Sequence, residues 1–545
     1  MKARLRKDKP IGYKLMNKIK ESFNFLTIMT TEKRNRREFL RSGAIGIVGF
    51  SLMKNTSASE VVFSEPHTEL NEITISELQA GMKSGKFSAK MLVEKYLERI
   101  REIDPKIKSV IETNPDALQI AEEMDRERKR GKVRSIMHGI PVLIKDNIDT
   151  ADKMKTTAGS LALANAPTPL RDAFIVQHLR KSGAVILGKT NLSEWANFRS
   201  TKSISGWSGR GGQTNNPYIL DKNPCGSSAG SGAAVSANLA AVTVGTETNG
   251  SIICPATRNG VVGIKPTLGL ISRSGIIPIA HTQDTAGPMA RTVADAAILL
   301  GVLVGTDKAD ATTLQSKKGA KDYTKFLDKD GLRGARIGVA RQFIGNNAKS
   351  KEIFESHLKV LKTGGATLID VAFSEDFGKM GDDRLNVLLY EFKTDLNKYL
   401  AERRSPYKTL ADLIKYNDDN KDREMPLFGQ ELFTQSQSKG DLNDKEYLSA
   451  LQKIGKAARE DGIDSVAAKD KLDAIVSPAV GATWSLAAVA GYPYITVPAG
   501  FVDGLPSGIG FFGRAFTEPQ LIKIAYAFEQ KTKMRQTPKF LPNAS

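Results

Sequence analysis

Cysteine and histidine are scarce in this 545-residue chain: two cysteines, Cys225 and Cys254, and five histidines. The histidines, His67, His138, His178, His281 and His357, are scattered. With the cysteines they form no metal-ligand spacing, which argues against a metal-dependent hydrolase. The phosphate-cradling pattern G-x-x-x-x-G-K-[ST] is absent, so no nucleotide site of that type is expected. Long apolar runs are missing too. Gly43 to Met53 has 11 residues, too short to cross a bilayer as a helix, and no other segment is long enough. Negative charge is in deficit, giving a net charge of +19. Residues 1–60 hold 14 Lys and Arg against 5 Asp and Glu. The rest is therefore a mildly basic surface and not a concentrated phosphate-binding stripe, so no nucleic-acid partner is expected.

What is present is glycine next to serine. Gly226-Ser227-Ser228-Ala229-Gly230-Ser231-Gly232 lies shortly before Thr246-Glu247-Thr248-Asn249-Gly250-Ser251. Upstream, Lys145 closes the apolar stretch Pro141-Val142-Leu143-Ile144. A serine hydroxyl attacks a carbonyl only when a base takes its proton. Lysine can be that base once apolar burial draws its pKa from about 10.4 towards neutrality. Small residues let backbone N–H groups converge on one point, as an oxyanion requires. A rival arrangement is the nucleophile elbow, which Gly226-Ser227-Ser228-Ala229-Gly230 formally matches with Ser228 as nucleophile. That chemistry needs a downstream histidine. Only His281 and His357 follow, neither in a catalytic motif.

The run from Cys225 to Val235, through Gly245 to Ala256 and on to Gly260-Val261-Val262-Gly263-Ile264-Lys265-Pro266-Thr267, resembles the amidase signature. Asp284 to Arg291 and Gly491 to Pro498 extend the likeness, which covers roughly residues 70 to 530. The resemblance implies an α/β amidase signature fold: one large α/β/α unit, its mixed central sheet covered by helices on both faces. It places the nucleophile at Ser251, a relay serine with a cis peptide bond at Ser227, and the catalytic lysine at Lys145. The small-residue turn itself sets the expected oxyanion and substrate contacts at Thr248, Asn249 and Gly250. Many members carry Gly-Gly-Ser at the nucleophile. Asn249-Gly250-Ser251 instead sets a side chain beside the oxyanion site. The implied activity is hydrolysis of a carboxamide to acid and ammonia, with no cofactor and no metal. The stretch Ser205 to Tyr218, with Thr246–Ser251 and Leu388–Lys393, is similar to the bacterial peptide amidase branch. That implies a small amide or short peptide-amide substrate. A general aliphatic or aromatic amidase and a tRNA-dependent amidotransferase subunit share the signature and stand as alternatives. A non-enzymatic binding module is disfavoured by the intact Lys145, Ser227 and Ser251. For Asp284 and Arg291 the expected roles are structural: a helix cap, and an i, i+4 pair with Asp295.

Residues 1–60 read as an extension ahead of a domain spanning 61–545. Asn35-Arg36-Arg37-Glu38-Phe39-Leu40-Arg41 resembles a twin-arginine export motif, and Gly43–Met53 suits a signal h-region. Thr56-Ser57-Ala58-Ser59 offers a cleavage site, with translation starting at Met1 or Met29. The expectation is recognition by the twin-arginine export machinery and a periplasmic product. An exported protein could pair Cys225 with Cys254. Two small buried thiols are the favoured expectation.

Along the remainder, Ile73–Ile103 predicts two helices and Ala117–Lys132 a third, from apolar spacing and capping residues. Ile136–Ile144, Ala184–Leu187 and Val242–Val244 read as strands, and Ala233–Ala241 as a helix behind the Gly-Ser loop. Residues 306–470 read as a helical elaboration around the pocket, with helices at Ser350–Thr363 and Asp383–Glu402. Strand-like segments at 334–340 and 473–478 bracket it. The alternation indicates an α/β chain with a buried sheet.

Overall fold

A computed structural model describes residues 66–543. The export motif, h-region and cleavage region lie outside the described residues. Eleven strands form one sheet: β1 (Val110–Thr113), β2 (Pro141–Lys145), β3 (Val185–Thr190), β4 (Val242–Glu247), β5 (Val262–Lys265), β6 (Thr285–Ala290), β7 (Arg336–Val339), β8 (Thr367–Asp370), β9 (Ala474–Pro478), β10 (Tyr494–Val502) and β11 (Leu505–Phe512). Their spatial order is β1-β3-β2-β4-β6-β5-β10-β11-β9-β7-β8. The sheet is mixed. β2 runs parallel to both β3 and β4, whereas β6 is antiparallel to β4 and β5.

Both faces of this sheet are covered. Successive strand residues point to opposite sides. Val476, Ile495 and Phe511 join one buried apolar cluster, and their neighbours Ile475, Tyr494 and Phe512 join another. Helices Val293–Leu303 and Glu518–Thr532 fill the first cluster. Ile253–Arg258, Lys445–Ala458 and Gly481–Ala490 fill the second. The α/β/α layering expected from the sequence, a mixed sheet covered by helices on both faces, is therefore the architecture observed.

Local signals explain the helix starts. Thr74 accepts from Glu77 N while the Glu77 carboxylate accepts from Thr74 N, a reciprocal cap that opens Ile75–Ser84. Ser88 caps Ala89–Ile107. Ala117–Lys129 follows. In the region 306–470, helices Ala348–Thr363 and Gly381–Glu402 are accompanied by β7 and β8. Leu389, Phe392, Leu396 and Leu400 of Gly381–Glu402 pack with Trp195 and Phe198 in a third apolar cluster. This brings Asp395, Lys398, Tyr399 and Glu402 to the wall of the main cavity.

Candidate active site

The parallel pairing of β2 with β4 sets Ile144 opposite Val244, so both strands end at the same edge of the sheet. Crevices at the carboxyl ends of strands beside a change of strand order are where α/β sheets place ligands. Here the edge delivers Lys145 and Glu247, the last residues of their strands. Helix Ala229–Ser236 starts directly behind Ser227 and Ser228. Its small residues are needed for close packing. A Cβ on Gly230 would stand 2.3 Å from the Ser109 carbonyl oxygen and 2.4 Å from that of Asn191.

The two serine loops are joined twice. Ser228 N donates to the Ser251 carbonyl at 3.1 Å. Cys225 and Cys254 form a disulfide, with Cα atoms 5.9 Å apart. This corrects the expectation of two free buried thiols. Both cysteines are only half-buried. The sequence spacing of 29 residues says nothing of the fold that brings them together. The Gly226–Ser227 peptide is cis, as the resemblance implied.

Lys145 is fully buried. Its Nζ donates to Ser227 Oγ at 2.8 Å, to Thr246 Oγ1 at 2.8 Å and to the Thr246 carbonyl at 3.3 Å. Burial draws its pKa down to about 7, opposed by the negative charges of Asp284 and Glu247. Ser251 is nearly buried. Among the described residues its hydroxyl makes no hydrogen bond, so the structure joins Lys145 to Ser227 and leaves Ser251 unlinked to that pair. The backbone N–H groups of Thr248, Asn249 and Ser251 likewise meet no acceptor among the described residues. Gly250 has φ +85°, and a Cβ there would fall 2.4 Å from Trp484 Nε1. Only glycine fits that turn.

Asn249 does not hang free beside the turn. Its Oδ1 accepts from Ser485 Oγ at 2.6 Å, and its Nδ2 lies 3.5 Å from Gln283 Oε1. The Ser228 hydroxyl donates to the Thr246 carbonyl at 3.0 Å and accepts from Thr246 N at 3.2 Å, a clamp between two loops. Glu247 Oε2 accepts from Ile252 N at 2.7 Å and Ile253 N at 3.0 Å, holding the start of the helix behind Ser251.

A cavity of about 680 Å³ opens at this edge. Ser227, Thr246, Glu247 and Thr248 line it, with Asn147, Ile277, Asp284 and Tyr399. Asp284 is not a helix cap. It accepts from Ile279 N, Ala280 N and the Thr248 hydroxyl, and burial raises it to about 6. Arg291 is not held by an ion pair with Asp295. Its guanidinium donates to the carbonyls of Val235, Ala240 and Ile73. Asp284, expected as a structural residue, lines the cavity, and Thr246 and Asn147 are cavity residues to which the motifs gave no role. Asn147 Nδ2 donates to Thr246 Oγ1 at 3.0 Å. Its one sequence signal was proximity to Lys145. The stretch Trp207–Tyr218 does not line the cavity. Trp207 packs against Phe428 and the Arg199 guanidinium.

The Amidase family model matches residues 91–486. The chain belongs to the amidase family. A probable amidase of Arabidopsis thaliana is 44% identical over 501 residues, covering 90% of this chain and 96% of that protein. Peptide amidase from Stenotrophomonas maltophilia has a solved structure that is 48% identical. That match covers 86% of this chain and 99% of the other, with a TM-score of 0.83. One subunit of the glutamyl-tRNA(Gln) amidotransferase of Thermoanaerobacter pseudethanolicus is 36% identical, over 87% of this chain and all of that one. The protein is thus a hydrolase of amides, close to peptide amidase structures.

Proposed function

We propose that this amidase hydrolyses C-terminal carboxamides of short peptides through an acyl-enzyme on Ser251. Neutral Lys145 takes the Ser227 proton as Ser227 takes that of Ser251. Ser251 Oγ bonds to the carboxamide carbon, and the oxyanion is held by backbone N–H groups near Thr248, Asn249, Gly250 and Ser251. The C–N bond breaks as the proton returns through Ser227 to the leaving nitrogen, giving ammonia. Water then cleaves the Ser251 ester to release the acid. The Ser227–Ser251 contact forms on substrate binding, since catalytic hydrogen bonds tighten in the complex. The observation that carries this reading is the buried Lys145 amine, near pKa 7, 2.8 Å from Ser227 Oγ.

Peptide substrates are favoured by the 48% identity to a peptide amidase. The 680 Å³ cavity has space for groups beyond the scissile amide. Remote backbone contacts then orient the reacting group. Ammonia release from a dipeptide amide, benzamide and acetamide tests this. The dipeptide amide should have the highest kcat/KM, and internal peptide bonds should survive. Equal efficiency on benzamide would leave a general amidase.

We also infer that the protein is exported. The Arg36-Arg37 motif supports this, as does a half-buried disulfide suited to an oxidising compartment. The same features disfavour the amidotransferase reading.

A further inference from the structure

A second cavity, of about 480 Å³, lies between helix Gly481–Ala490 and the segment 373–384. Phe343, Phe373, Phe377 and Leu486 supply its apolar lining. Phe343 and Phe373 stand 5.8 Å apart between ring centroids. The polar atoms around it are mostly committed. Gln342 exchanges two hydrogen bonds with the Phe373 backbone, at 2.7 and 3.0 Å. Ser485 Oγ donates to Asn249 Oδ1. Ser374 Oγ donates to Asp376 Oδ2 at 2.9 Å.

Arg384 is the exception. Its guanidinium carbon sits 4.6 Å from the centroid of the Phe377 ring. Among the described residues it has no carboxylate partner within 4.0 Å, unlike its neighbour Asp383, which pairs with Lys453 at 2.5 Å. Burial lowers its pKa, and no acidic neighbour offsets that effect. Glu375, the one carboxylate of the lining, is exposed and forms no ion pair with Arg384. A half-buried guanidinium stacked on an aromatic ring retains its fork of N–H donors, which suits a carboxylate.

We propose that this cavity is a binding site for a small carboxylate on an aromatic body, with Arg384 holding the carboxylate and Phe343, Phe373 and Phe377 the ring. The site is distinct from the cavity at Lys145, with which it shares no lining residue. Its wall nevertheless reaches the serine turn, because Ser485 holds Asn249 and Trp484 packs on Gly250.

Phenylacetate and its uncharged counterpart 2-phenylethanol are the probes, titrated calorimetrically into the full chain. Two variants localise the site. Arg384→Gln removes the charge. Gly378→Leu puts a bulky side chain on the cavity lining, at a position where a Cβ meets nothing within 4 Å. Unchanged thermal melting and unchanged amide turnover confirm that each variant is folded. Phenylacetate should bind saturably to the wild type, and 2-phenylethanol at least about tenfold more weakly. Either substitution should weaken phenylacetate binding by about tenfold or more, as loss of a charge-assisted contact implies. Equal binding of the two probes would overturn carboxylate recognition. Undiminished phenylacetate binding in both folded variants, or no binding to the wild type, would overturn the site.

Discussion

Lys145 Nζ stands 2.8 Å from Ser227 Oγ, with no carboxylate among the described residues hydrogen-bonded to the amine. A buried lysine without an ion partner favours its neutral form, and a neutral amine can accept a proton. Thr246 fixes the amine's direction through its hydroxyl and its carbonyl.

Lys145→Ala should therefore lower kcat by several orders of magnitude. Lys145→Arg should not restore it, because a guanidinium stays protonated at any working pH. Steady-state ammonia release measures both. Near-normal rates for the arginine variant would mean that Lys145 acts as a positive charge only.

The pH profile follows from the same group. Lys145 titrates near 7, and in the proposed mechanism only its neutral form is the base. So kcat/KM should rise with pH through about 7 and then level off. Asp284 lifts the Lys145 pKa by its negative charge. Asp284→Asn should move the acid limb to lower pH. A limb that stays in place, or moves up, would contradict the assignment.

The Cys225–Cys254 bridge closes a loop containing Ser227 and Ser251. Closing a loop of this length removes unfolded-chain entropy worth about 3.6 kcal/mol. Replacing both cysteines by serine should lower the denaturant midpoint accordingly. A double variant as stable as the wild type would show that the bridge contributes nothing.

Export is checked by Arg36→Lys with Arg37→Lys. The doubly substituted protein should stay in the cytoplasm uncleaved, since receptor-read signals depend on the arginine pair. The exported wild type should begin between about residues 55 and 65, after the h-region. Exported protein still carrying Arg36 would contradict cleavage.

Much of the site was legible because its residues sit in contiguous, chemically biased runs. Lys145 follows four apolar residues, and burial is what lowers its pKa. Ser227 and Ser251 stand among glycines that the packing at Gly230 and the turn at Gly250 require. The Cys225–Cys254 pairing was hidden, because it arises only when β4 and helix Ala229–Ser236 bring two loops together. Asp284 stood out in the sequence, but its partners were hidden for a similar reason. It binds Thr248, Ile279 and Ala280 in a loop ahead of β6, where no helical or strand period marks it. Strands β5, β6 and β8 lack clear alternation, so sequence pattern did not single them out.

The most direct test of the account compares Ser251→Ala with Ser228→Ala, using ammonia release from one dipeptide amide. Each substitution removes a single hydroxyl, and thermal melting reports whether the fold persists. Ser251→Ala should abolish turnover. Ser228→Ala should retain substantial turnover, because that hydroxyl clamps the Thr246 backbone and in the proposed mechanism does not attack substrate. An inactive Ser228→Ala beside a Ser251→Ala that keeps most of its activity would contradict the assignment of Ser251 as nucleophile.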